Sequence, residues 1–424
     1  MRIFGLDEIE LRTLMVAVAE ERAREASIDE IAEAFARAAW TGIAEPGDRS
    51  AGLLVGALGA RAALQALIDR SPSSEIAQRI DPDAHAEQAN LTQELDDALA
   101  RWRPRTKSAL AVRALQIAAQ MGARLCVPGD KEWPVGVEDL GLHTPLALWW
   151  RGRSDSMMSM NHSIALVGAR AATGYGEHVA MEASAGLVDR GLSIISGGAY
   201  GIDGMVHRAA LASGGVTVAF LAGGVDRFYP SGHEALLGHI VETGAVVSEL
   251  PCGAAPTKWR FLQRNRLIAT ASQATVVLEA GRRSGSLNTA GHAAASGRPL
   301  GAVPGPVTSP ASAGCHRLLQ EFGAQCVTNA AEMATLIAHD ARVGTGVPRG
   351  GAADAAAGAV EPSAEQRRVL DALSTRSARG VEDIAMRSGL GVGAVIAALG
   401  GFEAEGAVIE KARGWVRRGV RASS

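Results

Sequence analysis

A chain of 424 residues with 42 Lys and Arg against 45 Asp and Glu is long enough for two to four domains, and its net charge of −3 excludes a globally basic nucleic-acid coat, so contact with a polyanion has to come from local patches. Four cysteines, Cys126, Cys252, Cys315 and Cys326, show no CxxC spacing, which signals neither a zinc site nor a disulfide framework and points to a reducing interior. No apolar run approaches the roughly 18 residues of a membrane span, and residues 1–12 carry acids where a secretory signal needs basic and then apolar residues, so a cytoplasmic protein is expected.

Residues 10–24, 28–40, 51–67 and 91–102 place apolar side chains at three- and four-residue spacing and predict a helical domain over 1–106, with a turn at 42–48 around Pro46-Gly47. From Arg101 to Arg113 five basic residues occur without an acid, which reads first as a solvated helix face and second as a surface that steers DNA. A helix then continues over 115–121, a strand is expected at 124–127, and an irregular lead-in runs to Met160.

Six short apolar runs follow, at 164–168, 192–196, 216–221, 245–250, 275–279 and 300–303, each followed by glycine or proline punctuation. Continuous Val, Ile and Leu without alternation describe strands buried on both faces. Segments of helical length separate them, which predicts an α/β fold: a doubly wound, mostly parallel sheet of Rossmann-like type with helices on both faces, completed by elements at 315–322, 324–327 and 330–339 within a domain of 107–340. Such sheets bind ligands in the crevice outside the carboxyl ends of the strands. At those ends stand Gly168-Ala169-Arg170, Gly197-Gly198, Gly223-Gly224, Glu249, Glu279-Ala280-Gly281 and Pro304-Gly305. Glycines there expose backbone N–H groups to phosphate. The same edge receives 258–266 (Lys-Trp-Arg-Phe-Leu-Gln-Arg-Asn-Arg), four cations with interleaved aromatics and no acid, a composition suited to a single-stranded nucleic-acid groove.

Residues 341–362 form an Ala/Gly-rich linker by composition. Beyond it, helical periods at 364–373, 381–388 and 392–405, then a hairpin over 407–417, give the pattern of a winged helix at 363–424. The third helix has no Arg, Lys, Asn or Gln to reach a base edge, whereas the wing and tail are basic through Lys411, Arg413, Arg417, Arg418 and Arg421. Weak phosphate contact and a protein-protein role both remain open for this domain.

The ordered series Val167-Gly168-Ala169-Arg170, Gly174-Tyr175-Gly176, Ser196-Gly197-Gly198-Ala199-Tyr200-Gly201-Ile202-Asp203 with His207, Tyr229-Pro230, Ser248-Glu249, Phe261 with Arg264-Asn265-Arg266, Glu279-Ala280 with Ser284-Gly285-Ser286, and Val303-Pro304-Gly305 resembles the DNA-processing protein A (DprA, also called Smf) family. The resemblance implies a Rossmann-like domain that binds single-stranded DNA, forms a homodimer and helps load the RecA recombinase in natural transformation and recombination. It implies no obligatory chemical step, so neither an enzyme nor a cofactor is expected.

Candidate DNA contacts are Arg170, Gly197, Gly198, Lys258, Arg260, Phe261, Arg264, Arg266, Ser284, Gly285 and Ser286. Gly197 and Gly198 serve equally as a tight strand-to-helix turn, and Ser284–Ser286 as a helix cap. With a helix expected from Phe261 to Ala271, Lys258 and Arg260 precede it, while Arg264 and Arg266 fall on different faces, where the Arg-Asn-Arg triplet could clamp Glu249 or Glu279. Asp203, His207, Glu249 and Glu279 read as structural acceptors before acid-base groups. The rival class is a nucleotide-phosphate hydrolase of the lysine-decarboxylase-like type, whose Pro-Gly-Gly-x-Gly-Thr is absent. A dinucleotide fingerprint, a P-loop and a metal-ligand cluster are missing as well.

Overall fold

The computed structural model describes residues 3–19, 25–82, 88–340, 363–404, 407–411 and 414–418; the expected linker at 341–362, Arg413 and Arg421 lie outside the described residues. The chain divides into two compact units, one formed by Met1–Gln116, Thr257–Trp259 and Ala356–Ser424 and the other by Ile117–Pro256 and Arg260–Ala355.

In the first unit, helices Glu8–Val16 and Ile28–Ile43 each begin with a capping box, Asp7 with Glu10 and Ser27 with Glu30. The single helix expected over 51–67 is in fact two, Arg49–Leu58 and Ala60–Ile68, bent by 109° at Gly59. Gly59 takes φ +80°, and Glu33 of helix Ile28–Ile43 caps the new N-terminus, accepting from the Ala60 and Arg61 amides at 2.7 and 2.9 Å. A short helix at Ser73–Ile80, not anticipated, precedes Gln88–Trp102. Trp40 and Trp102 meet edge to face at 5.1 Å in the core of this bundle, and both indole N–H groups are bonded, to the Ala60 carbonyl and to Asp48.

The winged-helix pattern is present as helices Ala364–Ala372, Val381–Ser388 and Val392–Ala404 with an antiparallel hairpin of Val408–Lys411 and Gly414–Arg417. Val395, Leu399 and Phe402 bury one side of the third helix, which leaves Gly393, Ala394, Ile396 and Ala397 outward. One residue of the basic run corrects the expectation of a solvated face. Arg105 is buried, bonded through Nη2 to Glu45 (2.5 Å), through Nη1 to the Ile43 carbonyl (3.1 Å) and through Nε to the Met386 carbonyl (2.8 Å). A guanidinium has the reach and five donors to satisfy three acceptors at once, and here they tie the second winged-helix helix to the helical bundle.

In the second unit nine strands form one sheet: β1 Arg124–Cys126, β2 Leu148–Gly152, β3 Ser163–Gly168, β4 Ser193–Gly197, β5 Thr217–Phe220, β6 Ala245–Ser248, β7 Ala274–Glu279, β8 Leu300–Ala302 and β9 Gln325–Cys326. Their order is β1-β2-β6-β5-β4-β3-β7-β8-β9, parallel from β6 to β9, with β2 antiparallel to both its neighbours. The irregular lead-in is thus partly regular. Leu148, Trp149 and Trp150 are buried in β2, which covers the edge of β6, and a helix follows at Ser154–Met158.

Alternation along the strands divides the core in two. Ala165 and Val167 of β3 face one layer, with Leu267, Ile268, Ala290, Ala293 and Leu318 from the covering helices; Ile164 and Leu166 face the other, with Ala183, Leu187, Ile202, Val206 and Leu336. Strand order runs β3-β4-β5-β6 in one direction and β3-β7-β8-β9 in the other, so the switch point lies at the carboxyl ends of β3 and β7. No single helix among the described residues is long and apolar enough to cross a membrane.

Arg105→Met removes the buried cation that pairs with Glu45 and donates to the Ile43 and Met386 carbonyls. The expected cost is about 3–5 kcal/mol in the stability of the first unit, measured by urea denaturation, together with faster proteolytic release of the winged helix. Unchanged stability and an unchanged cleavage pattern would contradict the assigned clamp.

Candidate nucleic-acid interface

A pocket of about 670 Å³ opens at the switch point. Four backbone segments and one helix build it, Pro310 and Ala311 after β8 closing one side. Gly168, Ala169 and Arg170 leave β3; Gly281, Arg283, Ser284 and Gly285 follow β7 and lead into helix Ser286–Ala295; Ala199 and Asp203 come from the turn and helix after β4; Phe261, Arg264 and Asn265 project from helix Lys258–Ala271.

Glycines at this edge are required by close approach. A Cβ on Gly168 would lie 2.5 Å from Ile202, and Gly201, at φ +78°, presses against the Ala169 carbonyl, to which the Ile202 amide bonds at 3.1 Å. These contacts lock the end of β3 to the start of helix Ile202–Ala212. Gly176 is similarly confined by the Glu279 carboxylate, which accepts from the Thr173 amide (2.9 Å) and hydroxyl (2.5 Å); the Thr173 hydroxyl in turn caps helix Gly174–Val188. Beyond β7, Ser284 and Ser286 share a hydroxyl hydrogen bond of 2.7 Å, and Asn265 reaches Asn288 at 3.1 Å across the first turn of the next helix. That helix presents its N-terminus to the pocket, a favourable seat for an anion.

The expected site residues separate into two groups. Arg170, Phe261, Arg264, Ser284, Gly285 and Ser286 line the pocket together; Gly197, Gly198, Lys258, Arg260 and Arg266 do not. Helix Lys258–Ala271 starts three residues earlier than expected, directly after Pro256 and Thr257, so Lys258 and Arg260 sit on its first turn rather than ahead of it. Lys258 is exposed, and Arg260 bonds the Ala255 carbonyl at 2.8 Å. Arg264 and Arg266 both turn inward, at 7% and 3% exposure. Arg264 passes over Gly197, where a Cβ would lie 2.5 Å from its Nη1, and donates to the Phe220 carbonyl at the end of β5. Arg266 pairs with Glu249 after β6, so the clamp anticipated for the triplet exists with Glu249, whereas Glu279 holds Thr173. Gly197 and Gly198 are buried, with carbonyls that accept from His207 and His233. Arg283 and Asn265 line the pocket as well: Asn265 is expected only as part of the Arg-Asn-Arg clamp, and for Arg283 the signal in the sequence is the Arg282-Arg283 pair directly before Ser284.

Charge in the pocket is concentrated near Phe261. The Arg170 guanidinium lies 5.3 Å and that of Arg264 5.9 Å from its ring centroid. Burial lowers Arg264 to about 10. Burial likewise raises the Asp203 carboxyl to about 6, against the opposing charges of Arg264 and Arg170 and backbone hydrogen bonds at Ala199 and Gly168. His207, fully buried between the Thr217 hydroxyl (2.7 Å) and the Gly197 carbonyl (3.0 Å), is lowered to about 4, again chiefly by burial.

These two groups oppose one another in pH. Asp203, raised on folding, adds stability below about pH 4 that is lost as pH rises through 6, whereas His207, lowered on folding, adds stability above pH 6.5 that is lost as pH falls through 4. Between pH 4.5 and 5.5 their slopes nearly cancel. Asp203→Asn leaves only the histidine slope, so urea denaturation should show the variant losing ground to the parent by about 1.4 kcal/mol per pH unit on acidification through that window. Parallel stability curves would mean that Asp203 titrates as an ordinary carboxylate.

Sequence and fold comparisons place the chain in a family. A family model described as DNA recombination-mediator protein A matches residues 124–338, and one described as the DprA winged helix domain matches 353–411. The putative DNA processing protein DprA of Mycobacterium tuberculosis is 47% identical over 287 residues, covering 65% of this chain and 72% of that protein. Protein Smf of Escherichia coli is 40% identical over 190 residues, 45% of this chain and 50% of that protein. In three dimensions the crystal structure of DprA from Streptococcus pneumoniae superposes with a TM-score of 0.51 at 29% identity, covering 64% of this chain and 91% of that one. With its nine-stranded sheet, its glycine-edged switch point and matches of this extent, the chain belongs to the DNA recombination-mediator protein A (DprA/Smf) family.

Proposed function

We propose that the switch-point pocket holds the backbone of single-stranded DNA, that the protein protects incoming or exposed strands, and that it hands them to the RecA recombinase during natural transformation and recombination. The observation that carries this reading is the convergence of Arg170, Arg283, the Ser286–Ala295 helix N-terminus and an aromatic ring, Phe261, on one open pocket at the place where this fold class binds phosphate. Lys258 and Arg260, on the first turn of the same helix as Phe261, extend the cationic surface. Phosphate contacts position a strand without reading it, so the expected binding is indifferent to base sequence. RecA as partner and a homodimer as working form follow from the family resemblance, and a cytoplasmic setting is the one the apolar pattern of the sequence leads us to expect.

The proposal is a binding surface and not a catalytic centre. Each carboxylate or imidazole bordering the strand ends has a structural partner: Glu249 has Arg266, Glu279 has Thr173, and His207 has Thr217 and Gly197. Asp203 lies buried beside Arg264.

Anisotropy titrations with a labelled oligothymidylate should show tighter binding to single than to double strands. The logarithm of affinity should fall linearly with the logarithm of salt, with a slope of about 2 per protomer for roughly three phosphates. Arg170→Glu or Arg283→Glu should flatten that slope for every sequence alike. Nucleotide hydrolysis lost on changing Glu249 or Glu279, with binding flat across salt, would favour an enzyme on this fold instead.

A further inference from the structure

Phe261 does not stand alone at the rim of the pocket. Its ring is shared among the Arg170 and Arg264 guanidinium groups and the ring of Tyr229, whose centroid lies 5.6 Å away at 54°. Phe261 is half-buried by this company, whereas Tyr229 is 53% exposed. Tyr229 belongs to the loop that follows β5, whereas the pocket lies at β3 and β7, so the aromatic contact leads away from the pocket along the carboxyl edge of the sheet. A second exposed ring stands on the same side. Tyr200, 49% exposed in the turn after β4, packs edge to face on His233 at 4.8 Å and lies against Gly232, so both tyrosines border the 229–233 loop. That loop is pinned to the turn after β4 by the His233 bond to the Gly198 carbonyl, 3.1 Å, which holds the rings in place. An exposed cation, Arg227, stands two residues before Tyr229.

A single half-exposed ring is ordinary, but Tyr229 and Tyr200 border one loop, and Tyr229 touches the ring at the rim of a cationic pocket. Rings in fixed positions beside a cationic pocket are what successive bases of a single strand stack on, whatever their sequence. We infer that a strand anchored by its phosphates in the pocket continues past Phe261 onto Tyr229, so that the binding track leaves β3 and β7 for the loop after β5, with Tyr200, after β4, bordering the same loop. This inference rests on the proposed single-strand binding and assigns Tyr229 as its next stacking platform.

The test uses the full chain and a ladder of labelled oligothymidylates of increasing length. For oligomers long enough to leave the pocket, Tyr229→Ala should weaken binding about tenfold, within the range found for loss of one base stack, and Tyr229→Phe should stay within about twofold. For the shortest oligomers that bind at all, Tyr229→Ala and the parent should be equal. Oligonucleotides carrying 5-iodouracil should photocrosslink to Tyr229 at one defined distance from the anchored end. Equal affinities of parent and Tyr229→Ala at every length, with Arg170→Glu still abolishing binding, would overturn the track while leaving the single-strand reading intact. A Tyr229→Ala protein that loses affinity equally at all lengths and shows no crosslink in the parent would assign the ring a purely structural role. If the parent binds no single strand, the underlying reading is what falls.

Discussion

Two buried arginines on one helix set the shape of this site. Arg264 and Arg266 fasten helix Lys258–Ala271 to the carboxyl edge of the sheet, one through the Phe220 carbonyl after β5 and the other through Glu249 after β6. Both side chains have left water, and each finds an acceptor at a strand end, while Nε and Nη1 of Arg266 are buried without a hydrogen-bond partner among the described residues. Gly197 lets Arg264 cross the end of β4, since any side chain there would occupy its path. Everything the helix presents outward depends on that attachment: Phe261 at the pocket rim, with Arg170 and Tyr229 against its ring. Basic residues within one nonapeptide therefore do two jobs. The inner pair holds the helix, and the outer pair, Lys258 and Arg260, remains on its first turn.

The legible part of the fold was the part with a one-dimensional signature. Strands β3 to β8 are buried on both faces, so they appear as uninterrupted apolar runs, and a run followed by glycine marks its own end. The winged helix was equally readable, because three helical periods and a hairpin are local patterns. Less legible were features decided by distant partners. Gly59 breaks a helix because Glu33, far back in the chain, caps the new start; Leu148–Gly152 becomes a strand because the edge of β6 needs a cover. Periodicity placed Arg264 and Arg266 on different faces, yet it could not say that both faces point inward. The place of Asn265 and Arg283 in the pocket was hidden for the same reason: only the folded chain brings the 281–286 turn over the middle of helix Lys258–Ala271.

The glycine-rich motifs acquire physical meanings that are separable from binding. Gly168 and Gly201 allow β3 and helix Ile202–Ala212 to interlock, and Gly176 admits the Glu279 carboxylate that fixes Thr173. Those roles are structural, and they leave the strand ends rigid and stripped of side chains, which is the condition for backbone amides and Arg170 to face a phosphate without reorganising. The winged helix contributes differently. Its third helix turns an uncharged face of Gly393, Ala394, Ile396 and Ala397 outward, and its second helix is tied to the helical bundle by Arg105.

Hydrogen exchange of the full chain with and without a saturating oligothymidylate addresses the central claim most directly, because it locates the strand without altering a residue. Binding at the switch point predicts slowed exchange in three separated segments, 168–176, 197–203 and 281–289, with the sheet interior unchanged. Protection confined to 381–418, with those three segments unaffected, would place the nucleic acid on the winged helix and contradict the account.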